Sequence, residues 1–99
     1  MIYKIHSSAN KCTLVFEIPA YNTEATSIEL VADFNNWQPI KIDTLTRGMW
    51  RLEQEVDSGK RYEFRYRILR DGQEYWLSEP EAESFVVNDR GTKNAVISC

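Results

Sequence analysis

The hydrophobic and polar positions of this chain alternate in short runs. The clearest is Tyr62, Phe64, Tyr66 and Ile68, interleaved with Glu63, Arg65, Arg67 and Leu69, the period-two pattern of a half-buried strand with its aromatic face inward. The same reading gives an inward set of Cys12, Leu14, Phe16 and Ile18, a second of Ile28, Leu30 and Ala32, and a third of Trp50, Leu52 and Val56. Phe85 to Val87 and Ala95 to Ile97 add two late strands. Asp57-Ser58-Gly59-Lys60 reads as a hairpin between the third set and the aromatic run, and Asp71-Gly72 as a tight turn into Gln73 to Leu77.

No window carries a helical stripe, and Gly and Pro stand singly between the runs. The expected fold is therefore all-β, an immunoglobulin-like antiparallel β-sandwich of two sheets packed face to face. A small barrel would use the same strands. At 99 residues, residues 1–99 are read as one domain, which buries roughly two thirds of its unfolded surface and needs no metal or disulfide staple.

Twelve Lys plus Arg against fifteen Asp plus Glu give a net charge of -3, which offers nucleic acid and anionic membranes no global attraction. The start, MIYKIHSSAN, has neither the long apolar run of a span nor the form of a secretory signal, so the expected location is cytoplasmic. Cys12 reads as a core residue and Cys99 as a tail, a bridge between the first and last strands being the alternative.

The three tryptophans occupy two kinds of place. Trp50 is in register with Leu52 and reads as core. Trp37 follows a polar turn, Asp33 to Asn36, and precedes Gln38-Pro39, which places it in a loop. Trp76 comes shortly after Asp71-Gly72, with Tyr75 beside it on the opposite face of an extended segment. A single loop tryptophan is as readily a lid on the core edge as a contact surface, but a pair suits a flat ligand with an apolar side and a polar rim. A pyranose ring is such a ligand, since its axial C–H face can lie on an indole. Amides and guanidinium groups such as Asn35, Asn36, Asn88, Asn94, Arg65, Arg67 and Arg90 would meet its hydroxyls.

Five motifs, taken in order, resemble a known family. They are Val31-Ala32-Asp33-Phe34-Asn35-Asn36-Trp37, Gly48-Met49-Trp50, Gly59 to Tyr66, Asp71-Gly72 with Trp76 ahead of Pro80, and Gly91 with Asn94 before a closing strand. From about Cys12 to the end they resemble the family 48 carbohydrate-binding modules, which include the glycogen-binding domain of the AMP-activated protein kinase β subunit and the early-set domains of isoamylase-type enzymes. The resemblance implies an immunoglobulin-like sandwich that binds α-1,4-glucans such as glycogen, starch or maltooligosaccharides. It implies Trp37 and Trp76 as the sugar platform, Arg65 as the basic residue on the strand before the second tryptophan and Asn94 as the asparagine of the last loop; the residue reading adds Asn36 as a candidate sugar contact. Two departures stand out. Gln73-Glu74-Tyr75 lengthens the approach to Trp76, so that Tyr75 could take its place, and Arg90 stands where the kinase domain has an apolar loop residue.

Other function classes fit less well. Lys60 to Arg70 carries five basic residues and one acidic, interleaved with aromatics as a single-strand nucleic-acid binder would want, yet alternation puts the two kinds on opposite faces. A protein-interaction module anchored on Trp37 and Trp76, serving a separate glucan-metabolising enzyme, is the stronger alternative. An enzyme is the weakest reading. His6 is the lone histidine, Glu79, Glu81 and Glu83 read as a solvated loop rather than a glycosidase pair, and no metal-ligand spacing occurs, so neither cofactor nor metal is expected.

Overall fold

The computed structural model describes residues 1–6, 8–20 and 25–99, the side chain of His6 lying outside that description. Among these residues the strands are β1 (Ile2–His6), β2 (Lys11–Pro19), β3 (Ser27–Ala32), β4 (Ile40–Ile42), β5 (Thr44–Thr46), β6 (Met49–Asp57), β7 (Arg61–Arg70), β8 (Gln73–Leu77), β9 (Ser84–Val87) and β10 (Lys93–Ser98). One sheet runs β1-β2-β6-β5 and the other β4-β3-β7-β10-β9, with β8 also pairing β7. Every pairing is antiparallel. The expected sandwich is the observed fold.

The core lies between the sheets and holds the inward sets read from the alternation. Phe16 of the first sheet meets Phe64 of the second edge-on at 5.1 Å between ring centres, and Tyr66 at 6.5 Å. Cys12, Leu14, Ile28, Leu30 and Ile68 are buried around them. Trp50 is half-buried and packs against this cluster, opposite Ile18 on β2.

β7 is the central strand of the second sheet. Its first half pairs β10 and its second half β8, so that these two strands share one edge of β7 end to end while β3 covers the other. The β7–β8 turn, Asp71 (φ 51°) and Gly72 (φ 78°), has two positive φ values, the backbone of a two-residue type I′ hairpin.

The segment after β6 departs from expectation. Asp57 to Lys60 is not a hairpin, because β6 and β7 belong to different sheets. The connection crosses the end of the sandwich. Ser58 N–H donates to Asn10 C=O at 3.0 Å and Gly59 N–H to Cys99 C=O at 2.6 Å. At the same end a Cys12–Cys99 disulfide, with Cα atoms 6.1 Å apart, joins β2 of one sheet to the residue after β10 of the other.

Glu79 also departs from expectation. It is fully buried. Its Oε1 accepts from the Tyr66 hydroxyl at 2.9 Å and the Met1 ammonium at 2.8 Å, and its Oε2 from Glu81 N–H at 2.9 Å. Burial and the adjacent carboxylate push the Tyr66 phenol well above its usual range.

Candidate functional site

The outward face of β7 carries Glu63, Arg65, Arg67 and Leu69 by the same alternation that buries its aromatics. Across the strand pairs, Val31 lies opposite Arg65 and Glu29 opposite Arg67 on the β3 side, while Trp76 lies opposite Arg67 on the β8 side. Trp76 therefore shares a face with Arg65, two positions along, within the diagonal reach of a long side chain.

Trp37 reaches this face from the other side. β3 ends in a short 3-10 turn, Asp33–Asn35, after which Asn36 and Trp37 both take left-handed backbone conformations (φ 61° and 62°). Trp37 N–H donates back to Ala32 C=O at 2.9 Å, and the Asn35 amide donates to Gln38 C=O at 3.0 Å. A bulky residue at positive φ is rare and strained. The turn holds Trp37 there with the residue 38% exposed, close to the 37% of Trp76.

Arg65 joins the two indoles. Its guanidinium carbon lies 4.4 Å from the centre of the Trp76 ring and 5.7 Å from that of Trp37, both within cation–π range. Its Nε is buried and has no hydrogen-bond partner. Burial lowers the Arg65 pKa from its ordinary value, as does the charge of nearby Arg90, with Asp89 and Glu74 opposing them. Arg67 is instead tied down, its guanidinium 2.6 Å from Glu29 and 3.5 Å from Glu74.

The remaining predicted residues are distributed unevenly. Arg90 stands in the β9–β10 loop, close enough to Arg65 for their charges to interact, and Asn36 is exposed beside Trp37. Asn94 is buried. Its Oδ1 accepts from the Asn88 amide at 3.0 Å and its Nδ2 donates to Glu63 at 3.2 Å, which makes it a brace under the loop that carries Arg90. Tyr75 is opposite Ile68 and so faces away from Trp76, with Arg70 over its ring at 5.1 Å. The structure thus brings together Trp37, Trp76, Arg65 and Arg90, and leaves Tyr75 outside the group.

Asn88 was missed by sequence reasoning as the organiser of the last loop. Its Oδ1 accepts from the backbone of Arg90 at 3.0 Å and Thr92 at 3.2 Å. The signal for it was local: an asparagine closing a strand ahead of a glycine turn bonds its own backbone further on.

The guanidinium thus bridges two exposed indoles on one face of the second sheet. The model of carbohydrate-binding module 48 (isoamylase N-terminal domain) matches residues 6–82. The chain belongs to this carbohydrate-binding module family. Solved structures agree on the fold. The pullulanase type I from Bacillus subtilis str. 168, in complex with maltose, is 19% identical with a TM-score of 0.65 over 96% of this chain and 12% of its own. The pullulanase from Bacillus acidopullulyticus is 15% identical with a TM-score of 0.65 over 97% and 11%. The multi-modular glycogen-degrading pneumococcal virulence factor SpuA is 19% identical with a TM-score of 0.60 over 84% and 10%. This carbohydrate-binding module thus spans about a tenth of each of those proteins. Among curated protein sequences none matches the chain.

Proposed function

We propose that this module binds α-1,4-linked glucans, such as glycogen, starch and maltooligosaccharides, without cleaving them. Trp37 and Trp76 serve as the platforms, with Arg65, Arg90 and Asn36 at the polar rim and Asn94 bracing the last loop. The observation that carries this reading is the Arg65 guanidinium within 4.4 Å and 5.7 Å of the two indole centres. It supports a continuous strip of aromatic faces with hydrogen-bond donors between them. Covering about 100 Å² of each indole contributes roughly 2.5 kcal/mol, part of it offset by immobilisation, which leads to micromolar to millimolar binding.

Titration of tryptophan fluorescence with maltoheptaose and β-cyclodextrin, with cellohexaose and single-stranded DNA as controls, tests this. Saturable, salt-insensitive quenching by the α-glucans alone is expected. No response to any sugar at millimolar concentration would overturn it.

A second reading is an accessory module that docks on a separate glucan-metabolising enzyme. It is favoured by edge strand β9, whose Phe85, Val86 and Val87 are all exposed, since such an edge invites pairing. The cytoplasmic location expected from the sequence belongs to this proposal. The Cys12–Cys99 bridge gives its test, because structural disulfides persist in oxidising compartments. Free thiols trapped in intact cells would support the cytoplasm, and a quantitatively oxidised pair would argue against it.

A further inference from the structure

The arginines of the platform face are unequally provided with counter-ions. Arg67 is held by Glu29 and Glu74. Arg65 and Arg90 make no ion pair among the described residues, although Arg65 is half-buried and Arg90 exposed. Of the Arg65 guanidinium nitrogens only Nε is buried without a partner, so the two terminal amino groups remain open to a ligand on the surface.

The fold brings the second guanidinium towards the first. Ala95 of β10 lies opposite Phe64 of β7, which puts Asn94 beside Arg65 on the outward face. The Asn94 side chain accepts from Asn88 at 3.0 Å, and Asn88 in turn accepts from Arg90 N–H at 3.0 Å. The loop is thus braced with Arg90 near enough for its charge to depress the Arg65 pKa, second only to burial. Asp89 and Glu74 act in the opposite direction, but Glu74 is already engaged by Arg67 at 3.5 Å.

Two neighbouring cations, one of them partly desolvated, repel each other until an anion lies against both. Guanidinium groups present planar forks of donors that match phosphate oxygens. A phosphate monoester carries about two negative charges at neutral pH, enough for both arginines, whereas a carboxylate carries half of that. The anion must also belong to a saccharide, because the Arg65 guanidinium stands over the two indoles at 4.4 Å and 5.7 Å. The net charge of -3 gives polyanions no general attraction, so a phosphate is held where the indoles hold the chain that carries it.

We propose that the platform prefers α-glucans bearing phosphate monoesters, with Arg65 and Arg90 clamping the phosphate of a glucosyl unit seated at the indoles. This rests on the glucan reading above. The test uses maltodextrins of matched length that carry phosphate at O3 or O6, titrated before and after phosphatase treatment and followed by tryptophan fluorescence.

The phosphorylated chains should bind about tenfold more tightly than the same chains after treatment, and the difference should shrink as salt is raised. Arg90→Gln should abolish the difference, and Asp89→Asn, which removes an opposing carboxylate, should widen it. Inorganic phosphate alone should bind far more weakly than the phosphorylated chains. Equal affinity of the two preparations, or a difference that survives in Arg90→Gln, would overturn the phosphate clamp and leave the glucan reading standing. Inorganic phosphate binding as tightly as the phosphorylated chains would also overturn it, since the site would then serve the free anion. No response to either preparation would overturn the glucan reading and the clamp with it. Should Arg90→Gln fail to fold, the difference in the unmodified chain and its salt dependence decide the matter.

Discussion

The Arg65 guanidinium lies 4.4 Å from the centre of the Trp76 ring, although β7 and β8 place Arg67, not Arg65, directly opposite Trp76. The diagonal contact arises because Arg67 is drawn aside to Glu29 and Glu74, while no carboxylate lies within ion-pair distance of Arg65 among the described residues. Arg65→Ala should remove two cation–π contacts at a cost of about 1 kcal/mol in stability and weaken maltoheptaose binding roughly five- to tenfold. Arg65→Lys should not restore affinity, since an ammonium lacks the planar face and fork of a guanidinium. Calorimetric titration of both variants checks this.

Trp37 provides a separable test of strain and function. At φ 62° it occupies a backbone region that glycine adopts freely, at a cost of order 1 kcal/mol or more for a bulky side chain. Trp37→Gly should therefore unfold in urea at least as late as the parent protein, while glucan affinity falls roughly tenfold or more. A marked loss of stability would mean that Trp37 is a lid on the core rather than a platform.

The sandwich was legible because alternation in β2, β3, β6 and β7 separates inward from outward residues, and Trp37 was legible because it breaks that rhythm after a polar turn. Arg65 was legible only through the family resemblance, and its contact with both indoles was not, since it depends on the register of β8 against β7, which no local pattern sets. β1, β4 and β5 went unread. β4 and β5 have three residues each, too few for a period to emerge, and their neighbour turn, Arg47-Gly48, lacks the usual asparagine or aspartate. The crossing from β6 to β7 was mistaken for a hairpin because Asp-Ser-Gly-Lys turns look alike whether the next strand pairs or changes sheet. Glu79 looked solvated because only the fold brings Tyr66 to it.

The Cys12–Cys99 bridge spans a sequence separation of 87 and joins the two sheets. Loop-closure entropy for a ring of this size is worth roughly 4–5 kcal/mol, and removing a native disulfide from a small domain commonly costs about 2–5 kcal/mol. Reduction, or Cys99→Ser, should lower the melting temperature by about 4–8 °C for each kcal/mol lost. The core signals of Phe16 and Phe64 should persist. Thermal unfolding with and without dithiothreitol measures the difference.

Glu79 stabilises by accepting from the Tyr66 hydroxyl and from Glu81 N–H in a fully buried position. Glu79→Ala leaves these donors without a partner and opens a void, and should cost about 3 kcal/mol or more. Glu79→Gln retains an acceptor and should cost less. If the two variants unfold at the same denaturant concentration, the carboxylate bonds carry little of the stability.

The acid response should separate Asp33 from Asp57. The Lys11 hydrogen bond and charge hold the Asp57 carboxyl below its ordinary value, so its contribution is present above the unfolded carboxyl pKa of about 3.9 and fades as pH falls through the lower folded value. Asp33 has the opposite sign. Burial raises its carboxyl, so the protonated form is favoured by folding, and that contribution is full below the unfolded value and lost as pH rises through the folded one. Asp33→Asn, which cannot ionise, should therefore gain stability relative to the parent protein as pH rises from 3 to 7, and Asp57→Asn should lose it. Urea unfolding of the three proteins across that range gives both slopes. An Asp33→Asn difference that stays flat with pH would show that the Asp33 carboxyl is solvated rather than buried.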